Sequence, residues 1–397
     1  MALKRFIPEQ DTFIVSSSEE INFGSDEILE LGMTDYGDKP SRILVQFSGE
    51  QLRTYLGQHD LESGNYQAIL HLNLSEARNL PVKYTLIANT VSELWEEGIG
   101  RSTGYVPGAP LTGASWKYRD SELHPWDVEG GDILRVFDGT YAILSGSILT
   151  ILNGEGAQWI ATYEQEANGG NAYGLISGST DIPAINIYTK TVYTRDLTTD
   201  IEMDVTKAVV EWVASAESNG GLVVRFGDEG EVATLGSRIS FYSKETHTVY
   251  RPYLEIRWND AIYTPTLQEC PDIYGAFSSN LRESYRWGDI ARINLAVKSR
   301  YPSRAWSTGS IYREQYVLPE SSMWGIKNEY TNEMVIDFNS GSTKISADDS
   351  GNFLILDTSN LEPERYYRLL IQVARDQEQI VIDNRNIFRV ERNGKHV

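Results

Sequence analysis

Apolar and polar positions change places over short distances along this chain. Arg42 to Phe47, Gln67 to Leu74, Tyr84 to Asn89 and Gly221 to Phe226 are short runs rich in apolar, often β-branched or aromatic, residues. Gly, Asn, Asp or Ser bound most of them, the signature of strands joined by turns. Ile290 to Val297, Met334 to Phe338, Asn352 to Leu356, Arg365 to Val373 and Ile387 to Val390 read the same way, and Asp348-Asp349-Ser350-Gly351 reads as a hairpin turn. Helical periodicity is almost absent. One segment has it: Asp204 is placed to cap a helix in which Val205, Ala208, Val209, Trp212 and Val213 form an i, i+3, i+4 stripe, ended by Asn219-Gly220-Gly221. Trp212 then reads as a core anchor. Many strands and few helices predict an all-β chain of sandwiches or barrels rather than an α/β enzyme fold.

The pattern divides the chain. Arg251 to Trp258 reads as a closing strand, and Tyr263-Thr264-Pro265-Thr266 opens an irregular stretch. The expected organisation is a large jelly-roll-like β-sandwich over residues 1–262, a linker over 263–279, and a smaller immunoglobulin-like β-sandwich over 280–397. Residues of about 132–200 are Gly-, Ser- and Thr-rich and predict a β-rich insertion in the first domain. Its strands would be Tyr141 to Leu144, Ile148 to Leu152 and Trp159 to Tyr163, with a tip at Ala167 to Asn171.

Composition narrows the classes of partner. The chain has 397 residues, enough to bury a large core without cross-links, and its single cysteine, Cys270, allows no internal disulfide. No apolar run is long enough for a membrane-spanning helix. The N-terminal residues Met1 to Phe6 lack the apolar run of a signal peptide, so export by an ordinary signal is not expected. Net charge is −21, unevenly placed. Residues 261–397 carry 16 basic and 18 acidic side chains, leaving 19 basic and 38 acidic in the first 260. So acidic a first domain repels phosphate backbones, and neither nucleic acid nor membrane is an expected partner.

A series of short phrases spans Asp11 to Glu255. They are Asp11-Thr12, Asn22-Phe23-Gly24, Leu29-Glu30-Leu31-Gly32, Arg42 to Phe47, Trp95-Glu96, Ser115-Trp116 and Gly130-Gly131-Asp132. They continue with Asp204-Val205-Thr206, Ser243-Lys244-Glu245 and Arg251-Pro252-Tyr253-Leu254. In this order they resemble the DNRLRE-type domain family, related to the disaggregatase-type carbohydrate-binding modules, over about residues 1–258. The 132–200 segment departs from that pattern, which would pass directly from Gly-Gly-Asp to the helix. The C-terminal phrases, among them Arg300-Tyr301-Pro302, Trp324 to Lys327 and Arg365 to Arg368, resemble small sandwich domains of tailed-bacteriophage structural proteins.

Candidate chemistry is sparse. No Gly-x-Ser-x-Gly elbow, His-Glu-x-x-His motif, Walker loop or dinucleotide fingerprint occurs, and the five histidines are scattered. A carboxylate pair for glycoside cleavage has no signature that spacing alone would reveal among 56 acidic residues. Trp116, Tyr118 and Trp126 lie in a loop-rich stretch and are candidates to stack on a sugar or a partner, as are Trp159 and Tyr163 in the insertion. Asp35 and Asp38, and Asp228 and Glu229, are the densest acidic turns and the candidate calcium ligands, although neither matches an EF-hand loop. No other cofactor is expected. Together the resemblances imply a non-enzymatic virion structural protein of a tailed bacteriophage, in the neck, tail, baseplate or fibre anchor. It would be made in the host cytoplasm and bind other virion proteins in a symmetric multi-copy assembly. The alternative they imply is a carbohydrate-binding or adhesion module for a glycan.

Overall fold

The computed structural model describes residues 2–33, 40–62, 64–91, 93–102, 111–126, 130, 140–145, 148–153, 187–195, 200–214, 219–227, 229–301, 315–375 and 378–392. Strands make up 48 % of the described residues and helices 10 %, so the fold is all-β. Two compact units form, a large one at Phe6–Glu255 and a small one made of Met1–Arg5 and Ile256–Val397.

Strands up to the second crossing between units are β1 (Leu3–Phe6), β2 (Gln10–Val15), β3 (Ile28–Met33), β4 (Pro40–Gln46), β5 (Tyr66–Leu72), β6 (Leu74–Arg78) and β7 (Lys83–Thr90). They continue with β8 (Thr140–Ser145), β9 (Ile148–Asn153), β10 (Ile187–Tyr193), β11 (Ile201–Asp204), β12 (Leu222–Phe226), β13 (Arg238–Tyr242) and β14 (Tyr253–Trp258). One sheet has the order β1-β14-β5-β11; the other runs β10-β7-β12-β4-β3-β13-β6, with β2 also paired to β4. The central strands read as unbroken apolar runs because both faces are covered: Ile43, Leu44 and Val45 of β4 are all fully buried, as are Leu222, Val223 and Val224 of β12. β8 and β9 form an antiparallel hairpin inside the segment expected to be inserted. β10, also within 132–200, instead pairs along its whole length with β7 at the edge of the large sheet. The expected strand at Trp159 to Tyr163 and the tip at 167–171 lie outside the described residues.

Three helices are described in this unit: α1 (Gly49–Gln58), α2 (Thr206–Ala214) and α3 (Glu229–Leu235). α2 is the helix that periodicity predicts. The Asp204 carboxylate accepts hydrogen bonds from the Thr206 amide (3.0 Å) and hydroxyl (2.6 Å), holding the first turn. Ala208, Val209 and Trp212 are buried along its inner face. α1 was not expected. Only Gly49, Leu52 and Leu56 are buried, Tyr55 is half-buried against Phe6, and the rest of its surface is polar or glycine, so the stripe is too thin to stand out.

The small unit has β15 (Ile273–Ser278), β16 (Ser284–Arg286), β17 (Ile290–Ser299), β18 (Met323–Asn328), β19 (Met334–Ile336), β20 (Ser346–Asp348), β21 (Gly351–Asp357), β22 (Arg365–Arg375) and β23 (Glu378–Glu391). They form two sheets, β15-β17-β21-β20 and β16-β23-β22-β18-β19. Ile293, Leu295, Leu354 and Leu356 of the first share one core with Trp324, Tyr367, Leu369, Ile371 and Phe388 of the second, which makes the unit a β-sandwich. Leu3 packs into this core, which is why the N-terminal residues belong to it. Asp348 and Gly351 pair across the expected two-residue turn. Gly351 has φ +111°, a conformation that suits glycine, and the Ser350 amide donates to Asp348 at 2.8 Å.

Trp212 is 1 % exposed. Its replacement by alanine removes the largest buried side chain of α2, and Trp212→Ala is expected to destabilise the large unit by about 3–5 kcal/mol in urea unfolding. A loss below about 1 kcal/mol would show that this side chain is no anchor.

Candidate functional site

Three of the sequence-predicted aromatic residues converge on one corner of the large unit. Trp126 is buried, and its indole N–H donates to the Ser115 carbonyl at 2.8 Å. Trp95, which joins it in a cluster with Ile14, Leu44 and Val223, donates its indole N–H to the Gly220 carbonyl at 2.8 Å. A tryptophan can be buried this deeply because its one polar atom finds an acceptor.

Trp116 is half-buried and packs against the same cluster. The Arg42 guanidinium lies over its ring, 4.6 Å from the centroid. That guanidinium is fixed on every side: Nε and Nη2 fork onto both Glu229 oxygens at 2.7 and 2.9 Å, and Nη1 donates to the Gly130 carbonyl at 2.9 Å. Gly130 has φ +92°, and a Cβ there would stand 2.4 Å from Arg42 Nη1 and 2.8 Å from the Trp116 ring, so only glycine fits. The ring therefore serves as a shelf for Arg42. Tyr118 is half-buried, bridges to Pro125 and has the Lys117 ammonium 5.2 Å from its ring.

Glu229, a candidate calcium ligand by sequence, is the first residue of α3 and is the fork's acceptor. Burial pushes its carboxyl up, but hydrogen bonds and attraction from Arg42, with Arg225 adding to them, outweigh this and hold it below the usual glutamate range. Asp35, Asp38, Asp228, Trp159 and Tyr163 lie outside the described residues.

A polar cleft of about 360 Å³ opens elsewhere on the large unit, lined among others by Asp26, Glu30, Glu76, Arg101, Ser102 and Arg238. Arg238 is 3.5 Å from Glu30 and 3.7 Å from Glu76. Asp26 accepts from the Ser102 amide (2.9 Å) and hydroxyl (2.8 Å), yet burial still raises its carboxyl above the ordinary value. The one aromatic residue among the described residues of the lining, Phe13, is fully buried and stacks on Phe23, with centroids 4.3 Å apart. Its described lining thus presents charge without a stacking ring.

Sequence reasoning missed a third grouping, Asp11, Glu97 and Glu245, whose carboxylate oxygens all lie within 4.8 Å of one another. Asp11 sits on β2, Glu97 in the loop after β7, and Glu245 in the loop after β13. Each belongs to, or adjoins, a phrase noted in the sequence. No local spacing could unite residues so far apart along the chain.

No protein-family model and no curated protein matches this sequence. Among solved structures, one similar chain is a DUF4785 family protein from Legionella pneumophila, at 7 % identity and a TM-score of 0.17. The alignment covers 98 % of this chain but 64 % of that protein, so this chain spans under two thirds of its length. A likeness this slight carries no argument about fold or function.

The Arg42–Glu229 fork is open to measurement. A double-mutant cycle with Arg42→Ala and Glu229→Gln is expected to give a coupling of about 1–3 kcal/mol at pH 7. Because the folded-state pKa of Glu229 is depressed, its contribution is complete above the unfolded glutamate pKa of about 4.3 and is lost as pH falls through the lower folded value. A coupling that stays constant through that acid window would contradict the assignment.

Proposed function

We propose that this chain is a non-enzymatic structural protein acting through protein–protein contacts, as a virion component of a tailed bacteriophage. The observation that carries the contact reading is the outer face of the small unit's five-stranded sheet. On β22, Tyr367, Leu369 and Ile371 point into the core, so Tyr366 and Arg368 point out. Opposite them on β23 stand Arg389 and Ile387. Tyr330 joins Tyr366 edge-to-face, with centroids 5.9 Å apart, and Arg389 lies 5.7 Å from the Tyr366 ring. Tyr330 is 73 % exposed. Surface tyrosine and arginine beside an aliphatic side chain are the residue types that dominate interface hot spots.

The β22–β23 hairpin also runs past its neighbour. β18 pairs with β22 only as far as Gln372, while β22 and β23 stay paired through Arg375 and Glu378. Ile380, which pairs with Val373 on this projecting part, is about half exposed. The phage assignment rests on the resemblance of the C-terminal phrases together with this surface. Repetition on a symmetric particle would let contacts that are weak alone hold firmly. The glycan reading has less support, because Trp126 is buried and Trp116 already carries Arg42.

Mass spectrometry of purified tailed-phage particles from the source of this chain is expected to find it in multiple copies. A folded Tyr366→Ala/Ile387→Asp variant is expected to be left out of them. Absence of the wild-type chain from the particles would overturn the reading. Specific glycan-array binding that Trp116→Ala abolishes would replace it with the carbohydrate-binding alternative.

A further inference from the structure

We propose that Asp11, Glu97 and Glu245 form a binding site for one hard divalent cation of the calcium class. Three separate observations lead there.

The first is reach. The three carboxylate oxygens lie within 4.8 Å of one another. Calcium–oxygen bonds are about 2.3–2.6 Å, so oxygens on one ion lie up to roughly 5 Å apart. A single ion can therefore touch all three without moving the backbone.

The second is an unpartnered oxygen. Asp11 is 1 % exposed. Its Oδ2 accepts the Lys244 amide at 2.8 Å, but its Oδ1 is buried and has no hydrogen-bond partner among the described residues. A buried carboxylate oxygen without a donor is costly, and a cation ligated there removes that cost.

The third is charge. Among the described residues, three carboxylates face one ammonium, that of Lys244, which lies 2.7 Å from Glu97 and 3.7 Å from Glu245. Lys244 is also held by the Glu9 carbonyl at 2.5 Å. Three negative charges against one positive leave a deficit of two, the charge of one divalent ion.

The all-oxygen donor set suits a hard cation rather than zinc or copper. Its place in the fold gives it a structural role. Asp11 is on a strand of the large sheet, and the other two ligands come from separate loops. The backbone is already drawn in, since the Asp11 amide donates to Glu97 at 2.8 Å. An ion would lock both loops to β2.

The test uses the full-length chain, stripped with a chelator and then titrated with calcium chloride alone. Binding is read by calorimetry and stability by thermal unfolding. One calcium per chain is expected. At roughly 100-fold excess over its dissociation constant, the unfolding midpoint of the large unit should rise by about 5–10 °C. Glu245→Gln alters the most exposed ligand and is expected to keep the fold while weakening calcium binding about tenfold or more. Asp11→Asn, checked for folding by circular dichroism, should abolish the calcium-dependent rise. No calcium binding by the wild-type chain would overturn the proposal. Calcium binding that neither variant changes would also overturn it, because the ion would then sit elsewhere.

Discussion

One buried amide side chain organises the loops of the large unit. The Asn22 Nδ2 donates to the carbonyls of Glu97 (2.7 Å) and Ala114 (2.8 Å). Its Oδ1 accepts from the amides of Gly24 (3.3 Å) and Gly100 (2.8 Å) and from the Thr112 hydroxyl at 3.2 Å. Such a residue uses its full donor capacity inside the fold, and its bonds to Ala114 and Gly24 are buried. The approach it enforces is close. A Cβ on Gly24 would lie 1.9 Å from the Glu97 carbonyl oxygen, and one on Gly100 would lie 2.2 Å from that of Asn22. The Asn22-Phe23-Gly24 phrase is thus a clamp that holds the 93–102 and 111–115 loops in place.

The other features of this unit hang from those loops. The 93–102 loop carries Trp95 to its acceptor at Gly220 and Glu97 to the side of Asp11. The 111–115 loop ends in Ser115, whose carbonyl receives Trp126 and whose hydroxyl accepts from the Tyr118 amide. Phrases that look like a binding signature in sequence are largely the means by which a β-sandwich fixes long connections. The contact surface proposed for the small unit is of another kind: side chains that the sheet leaves over once its core is filled.

Strand positions were legible because burial on one or both faces writes itself into the order of residues. β4, β5, β7 and β12 all fall where short apolar runs predict them. α2 was legible for the same reason, its stripe ending on Trp212. α3 was not, because its seven residues include Gly230, and its first residue is bound to an arginine far earlier in the chain. The fate of the loop tryptophans was equally hidden. Trp126 is buried because a carbonyl eleven residues away takes its N–H, and nothing in its neighbours announces that bond. The Asp11, Glu97 and Glu245 grouping depends on which loops return to β2, a matter of topology rather than pattern.

The clamp at Asn22 is best tested by hydrogen–deuterium exchange on the full-length chain and an Asn22→Ala variant shown to be folded. If the side chain holds both loops, exchange should speed up at Gly100, at Ala114 and through the segments around Trp95 and Trp116. Protection in the β17, β21 and β22 strands of the small unit should be unchanged. Faster exchange confined to residues 22–24, with both loops as protected as before, would contradict the account.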